Sequence, residues 1–212
     1  MLTLYYAPGT CALASHIALQ EAGAAYTTER LDFRSNQQNS PEYLAINPKG
    51  RVPSLVTDRG ILTETPAMLA FIAQSFPQAK LAPSDAAFEF AKAQAFSSYL
   101  CSTVHVAHAH KMRGARWASE EASFADMKRM IPKTVAASFA LIERGMLKGP
   151  WVMGEQYTIC DPYLFALAGW LGRRQRRPFD AAEGGRSHEA HGRAAGGETG
   201  AGGRKELVAR FN

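Results

Sequence analysis

Four short stretches carry side chains that can do chemistry. The first is YYAPGTCALASH, residues 5–16, where one cysteine, Cys11, stands between an apolar run that closes at Tyr6 and the start of a helical pattern. Pro8-Gly9 marks the turn between them. Open backbone N–H groups and the dipole at a helix start stabilise a thiolate and bring a thiol pKa below ~8.5. The alternative is a small buried apolar residue. Pro8 occupies the position three residues earlier, where a second cysteine would complete a dithiol pair, so disulfide chemistry here takes its second thiol from outside.

The second stretch is GRVPS, in which Val52-Pro53 opens a strand. A cis proline there leaves the N–H and C=O of the preceding residue free to pair with an extended peptide. The third is TETPA: Thr65 reads as the N-cap of a helix with Pro66 inside it, and Glu64 stands beside the cap. Open N–H groups and a hydroxyl suit a carboxylate, and Glu64 suits an ammonium, so the pair fits the zwitterionic end of a γ-glutamyl group. Read singly, each is a plain cap or a solvated acid. The fourth is HVAHAH, with His105 and His108 on one helix face; a metal site needs a third ligand that the sequence does not supply. Cys101 and Cys160 read as core residues of helices.

The elements that position these groups follow from periodicity and punctuation. Strands are expected at Leu2–Tyr6, Tyr26–Leu31, Ser54–Thr57 and Ile61-Leu62, with helices over Cys11–Ala22, after Ser40-Pro41, and from Thr65 to about Phe76. That β-α-β-(α)-β-β-α order is a thioredoxin-like layer over residues 1–77. Residues 78–84 read as a linker. Beyond it lies a helical domain, residues 85–171: one pattern over Asp85–Arg113, a second from a cap at Ser119 to Leu147 with Pro132 expected to kink or restart it, and a third in YTICDPYLFALAGWL. Thr158-x-x-Asp161 has capping-box spacing.

Composition narrows the function classes. The chain has 212 residues and 46% apolar side chains, enough for a substantial core. No 18-residue apolar run appears, the first residues lack a secretory leader pattern, and three scattered cysteines form neither a disulfide framework nor a zinc cluster, so a cytoplasmic protein without membrane spans is expected. Residues 1–171 carry 15 basic and 14 acidic side chains, which argues against a nucleic-acid partner. The basicity sits in residues 172–212, where nine of the 18 glycines fall and Leu, Ile, Val and Met are absent until 207. That segment is expected to be disordered and reads like a coding sequence carried out of frame.

Taken together, LYYAPGTCALASHIAL, INPKGRVPSL, LTET, YLCSTVH and GEQYTICDPYLF resemble the beta-class bacterial glutathione transferases over about residues 1–171. The resemblance implies conjugation of glutathione, as co-substrate, to a hydrophobic electrophile by a detoxifying homodimer that uses no metal. It further implies thiol–disulfide exchange through a mixed disulfide at Cys11, or, alternatively, non-catalytic carriage of hydrophobic ligands. It makes Cys11 the glutathione-facing cysteine, Tyr6 the active-site tyrosine and His105 the interdomain histidine. Val52 and Pro53 would meet the glutathione backbone, and Glu64 and Thr65 its γ-glutamyl end. Ser98 stands where an asparagine often lies near the thiol, and Asn36 where a lysine often meets the glycine carboxylate.

Overall fold

Leu2–Tyr6 (β1) lies at the centre of a four-stranded sheet of order β2-β1-β3-β4. It pairs in parallel with Tyr26–Arg30 (β2), Leu2 opposite Tyr26, and antiparallel with Ser54–Thr57 (β3), Leu4 opposite Leu55. Gly60–Thr63 (β4) closes a hairpin on β3. The computed structural model describes residues 1–171. The Gly/Arg-rich segment 172–212, with its expected disorder, lies outside the described residues.

Ala12–Glu21 (α1) buries Ala12, Ala14, Ile17, Ala18 and Leu19 between the sheet and the helices beside it; small side chains let these elements approach closely. Gly23, at φ +65°, ends it: its N–H reaches Gln20 O, and that of Ala24 reaches Leu19 O, the Schellman pattern that satisfies the last carbonyls. Pro41–Ile46 (α2) is capped by Ser40, whose hydroxyl accepts from the Tyr43 N–H. Thr65–Ser75 (α3) buries Met68, Leu69 and Ile72 against the sheet and α1. The result is the thioredoxin-like layer read from the sequence.

The segment between α3 and the next helix holds only a 3-10 turn, Pro77–Ala79, and it is tied down rather than loose. Leu81 O accepts from Ile159 N–H at 2.8 Å, and Lys80 O from the Gln156 amide at 2.7 Å. Among the described residues helices follow, with one isolated β-bridge between Trp151 and Gly154. Ala87–Tyr99 (α4) runs through a π-helical turn, Leu100–Val104, into His105–Arg113 (α5), so the single pattern expected over 85–113 is one helix with a widened turn. Widened turns of this kind often mark functional positions. Glu121–Leu141 (α6) starts at Glu120, without a side-chain cap, instead of at Ser119. It continues through Pro132; the Thr134 hydroxyl donates to Met130 O and Ile131 O, both at 3.2 Å, on the turn that contains the proline.

Cys160–Ala168 (α7) is the core helix of this layer, with Tyr163 and Leu167 fully buried. Its start is organised by Asp161, 1% exposed, whose carboxylate accepts from Val152 N–H (2.8 Å), Thr158 N–H (2.7 Å) and the Thr158 hydroxyl (3.2 Å). The capping-box spacing is therefore used, and the same carboxylate also fixes the preceding loop. Pro162 costs nothing there, because an N–H in the first turn has no intrahelical partner to lose.

Candidate active site

Cys11, Val52 and Thr65 come together where α1, the start of β3 and the start of α3 converge. The Val52–Pro53 bond is cis. The Cys11 Sγ–H donates to Val52 O at 3.8 Å, and the Thr65 hydroxyl donates to Cys11 Sγ at 3.6 Å. The expectation of a thiolate-prone cysteine is not met: the residue is 6% exposed, and burial pushes its pKa up to about 11. Desolvation outweighs the helix terminus and the Thr65 donor. Cys11 is a neutral thiol that holds a proton it can donate.

Thr65 was expected to cap α3. Instead Glu64 takes the cap position at φ +72°, a left-handed backbone rarely adopted outside glycine, and Thr65 becomes the first helical residue with its hydroxyl turned onto Cys11. Strained backbone of this kind costs on the order of 1–3 kcal/mol and clusters at binding sites. Lys49 sits beside it: its ammonium lies 2.5 Å from Glu64 Oε1 and 2.7 Å from Thr63 Oγ1. Glu64 thus already receives an ammonium, and its side chain is about half exposed. The pair is half-exposed, so it is worth little and exchanges readily.

Of the remaining expected residues, Tyr6 turns its ring edge to His16 on α1, centroids 5.9 Å apart, and makes no hydrogen bond to Cys11, Val52 or Thr65 among the described residues. Ser98 is exposed on α4. Asn36 is held in its own loop at φ +59°, its amide oxygen accepting from the Gln38 and Asn39 side chains at 2.8 and 2.7 Å. His105 packs edge-on to Trp170, 5.1 Å between centroids. Burial, with Arg116 and Arg51 nearby, holds its pKa below the ordinary histidine range. His105 is therefore a neutral imidazole at pH 7.

Three contributors escaped the sequence reading. Trp170 donates its indole N–H to Gly9 O at 3.0 Å, tying the end of α7 to the turn before Cys11. Cys101 is not a core residue: it is half-buried in the π-helical turn, close enough to Cys11 to act on its charge and in hydrogen-bonding contact with Tyr163. Lys49 was legible only as part of INPKG. Among the described residues no three His, Cys, Asp or Glu side chains group as metal ligands, and no helix is long and apolar enough to cross a membrane.

His108 rests its ring edge on Trp170 and Phe139, and its Nε2 is buried without a partner. Burial, then His105 and Lys111, lower its pKa to about 4. The folded protein thus refuses a proton that the unfolded chain accepts below pH 6.5, so stability is lost as pH falls from 6.5 toward 4. Asp161 works in the opposite direction: its pKa is raised by burial to about 6, so its contribution is present below 3.8 and lost as pH rises through 6. His108→Phe is expected to cancel the His108 part alone and to leave that of His105 in place. Between pH 7 and pH 5 the variant should lose about 1 kcal/mol less than the wild type in urea unfolding, a figure already reduced for partial exposure. Parallel pH slopes in the two proteins would remove His108 from the acid response.

Residues 1–74 match the glutathione S-transferase N-terminal domain. A glutathione transferase homologue from Sulfitobacter, solved with bound glutathione, is 49% identical and superposes with a TM-score of 0.78, covering 81% of this chain and 82% of that one. The beta-class glutathione S-transferase of Sphingomonas chungbukensis is 32% identical, with a TM-score of 0.68 over 79% of this chain and 81% of that one. Glutathione S-transferase GstA of Escherichia coli O157:H7 is 30% identical over 172 residues, 80% of this chain and 82% of the relative. The site geometry and these likenesses agree: the chain belongs to the glutathione S-transferase family.

Proposed function

We propose that this protein conjugates glutathione to an electrophilic small molecule, with the Cys11 thiol as hydrogen-bond donor to the glutathione thiolate. The observation that carries the reading is Cys11 itself: protonated, buried, and set between the Val52 carbonyl and the Thr65 hydroxyl beside a cis proline. An extended tripeptide paired with Val52 places its γ-glutamyl ammonium at Glu64 and its carboxylate at the start of α3. Its sulfur then lies at the start of α1, facing Cys11. Lowering a thiol pKa by ~2 units takes ~3 kcal/mol of preferential thiolate stabilisation. A helix terminus gives up to ~1–2 kcal/mol and a donor to a charged sulfur ~1.5–3 kcal/mol, so Cys11 with α1 suffices. His105, uncharged, adds a second donor from the helical side, and Tyr6 serves chiefly as packing.

Thiol–disulfide exchange at Cys11 is the lesser activity on this geometry, because a thiol raised to about 11 has little thiolate at neutral pH. Family membership supports a cytoplasmic homodimer with the α4–α5 helix at its interface and a detoxifying role. The test is turnover: purified protein, glutathione and 1-chloro-2,4-dinitrobenzene should release chloride with saturation in both substrates. Binding of glutathione with no turnover of this or an enone electrophile would leave the carrier reading in its place.

A further inference from the structure

The C-terminal part of the α4–α5 helix and the 3-10 turn after it have an unusual charge. From residue 90 to residue 119 there is no Asp or Glu, while Lys111, Arg113 and Arg116 fall there with three histidines; Lys92, also in this stretch, is paired with Glu89. The described chain as a whole is nearly balanced, so this is a local concentration. Arg51 meets it from the opposite domain. Its backbone carbonyl is gripped by the Tyr43 hydroxyl (2.6 Å) and the Asn47 amide (2.7 Å), which fixes the residue, and its guanidinium acts on His105, Cys101 and Arg116. Arg113 reaches the sheet domain and lies over the Phe33 ring, 5.9 Å from its centroid.

Among the described residues none of these three arginines makes an ion pair. Glu64, the one carboxylate acting on His105, is paired with Lys49. The three guanidiniums therefore lie within electrostatic reach of one another, one from the sheet domain and two from the helical domain, with no carboxylate paired to any of them among the described residues. Like charges so gathered repel one another, and an anion between them relieves the repulsion and gains charge-assisted hydrogen bonds. Guanidiniums match a planar carboxylate better than an ammonium does.

We infer that the second substrate carries an anionic group, such as a carboxylate, which Arg113 and Arg116 with Arg51 receive while its electrophilic carbon faces the sulfur at Cys11. This rests on the transferase reading above and adds the substrate class. For an enone acid the step balances without a further reactant. The sulfur lone pair forms the C–S bond at the β-carbon, the C=C pair moves toward the carbonyl, and the proton released from the glutathione thiol ends on the α-carbon. The carboxylate takes no part in bonding; it orients the molecule.

Ethacrynic acid and its methyl ester form a matched pair, because the enone is the same and only the distant carboxylate is removed. With the full chain, and after division by the uncatalysed rates, kcat/KM for the acid is expected to exceed that for the ester by about tenfold or more. The ratio should fall toward one in an Arg113→Gln/Arg116→Gln variant and in 0.5 M salt, where screening acts within about 4–5 Å. Both residues are exposed, and an unchanged melting profile would confirm that the variant folds. A wild-type ratio of one or below overturns the inference. So does a ratio the variant leaves unmoved; if the KM for glutathione then rises for both electrophiles, the arginines hold the glycine carboxylate of glutathione instead. Failure to turn over either electrophile, or the chlorodinitrobenzene, defeats the transferase reading itself.

Discussion

Asp161→Ala is expected to lower stability by about 3–5 kcal/mol. The carboxylate is the common acceptor for the N–H groups of Val152 and Thr158, both buried, and for the Thr158 hydroxyl. Alanine leaves those donors facing a dry interior, and each unsatisfied buried group costs about 1–3 kcal/mol. Burial raises the Asp161 pKa to about 6, so the side chain is mostly ionised at pH 7, but the donors are needed whichever form is present. For a chain of this size the melting temperature should drop on the order of 10 °C. Asp161→Asn keeps the shape and one acceptor but offers an amide N–H to the remaining donor, so it should fall between. The loop that Asp161 holds also carries Ile159, whose N–H binds Leu81 O, and α7 presents Trp170 to Gly9. The loss should therefore spread to the turn before Cys11, visible as faster exchange of the Ala12–Ala14 amides. A melting temperature within about 2 °C of the wild type would show that the loop finds other acceptors.

The fold was legible because its signals are local. A short apolar run marked β1 and alternation β2, Gly23 and Ser40-Pro41 marked helix ends, and Thr158-x-x-Asp161 marked the start of α7. The site was legible only in its membership. Cys11, Val52 and Thr65 were identified, yet the state of the thiol was not, because its burial depends on Val52 and Thr65, residues 41 and 54 positions away in the chain. A helix-start position predicts a lowered pKa, and the desolvation that reverses it is a tertiary property. The cap at Thr65 failed for a related reason. Thr65-Pro66 has the right types, but the left-handed Glu64 shifts the helix start by one and turns the hydroxyl inward. Helical periodicity also cannot distinguish a uniform helix from one with a widened turn, so Cys101 was assigned to the core when the π-helical turn leaves it half-buried beside the cleft. The arginines were counted with the body charge, and only the approach of Arg51 to α5 reveals that they gather.

The second large effect concerns the thiol at the start of α1. Cys11→Ala should shift the acidic limb of the pH profile for kcat/KM of glutathione upward by about 1–2 units, because one hydrogen bond to a charged sulfur is worth about 1.5–3 kcal/mol. At pH 6.5 that is a loss of about 10- to 100-fold, while above the shifted pKa the two proteins should converge. Cys11→Ser keeps a donor of similar size, now competing for Val52 O, and should stay close to the wild type. That rescue separates donation from packing, since alanine and serine change the volume by comparable amounts and only serine can donate. The same buried thiol makes a prediction about modification. Free enzyme treated with iodoacetamide at pH 7.5 should be labelled at half-buried Cys101 before Cys11, and Cys160, buried and raised to about 12, should be slowest. Oxidised glutathione should add to Cys11 only slowly and Cys11→Ala should abolish that adduct, with peptide mass mapping as the measurement. A Cys11→Ala profile that superimposes on the wild type would move thiolate stabilisation to His105 and the helix terminus. Rapid labelling of Cys11 ahead of Cys101 would instead show that the thiol ionises in solution, making mixed-disulfide chemistry the principal activity.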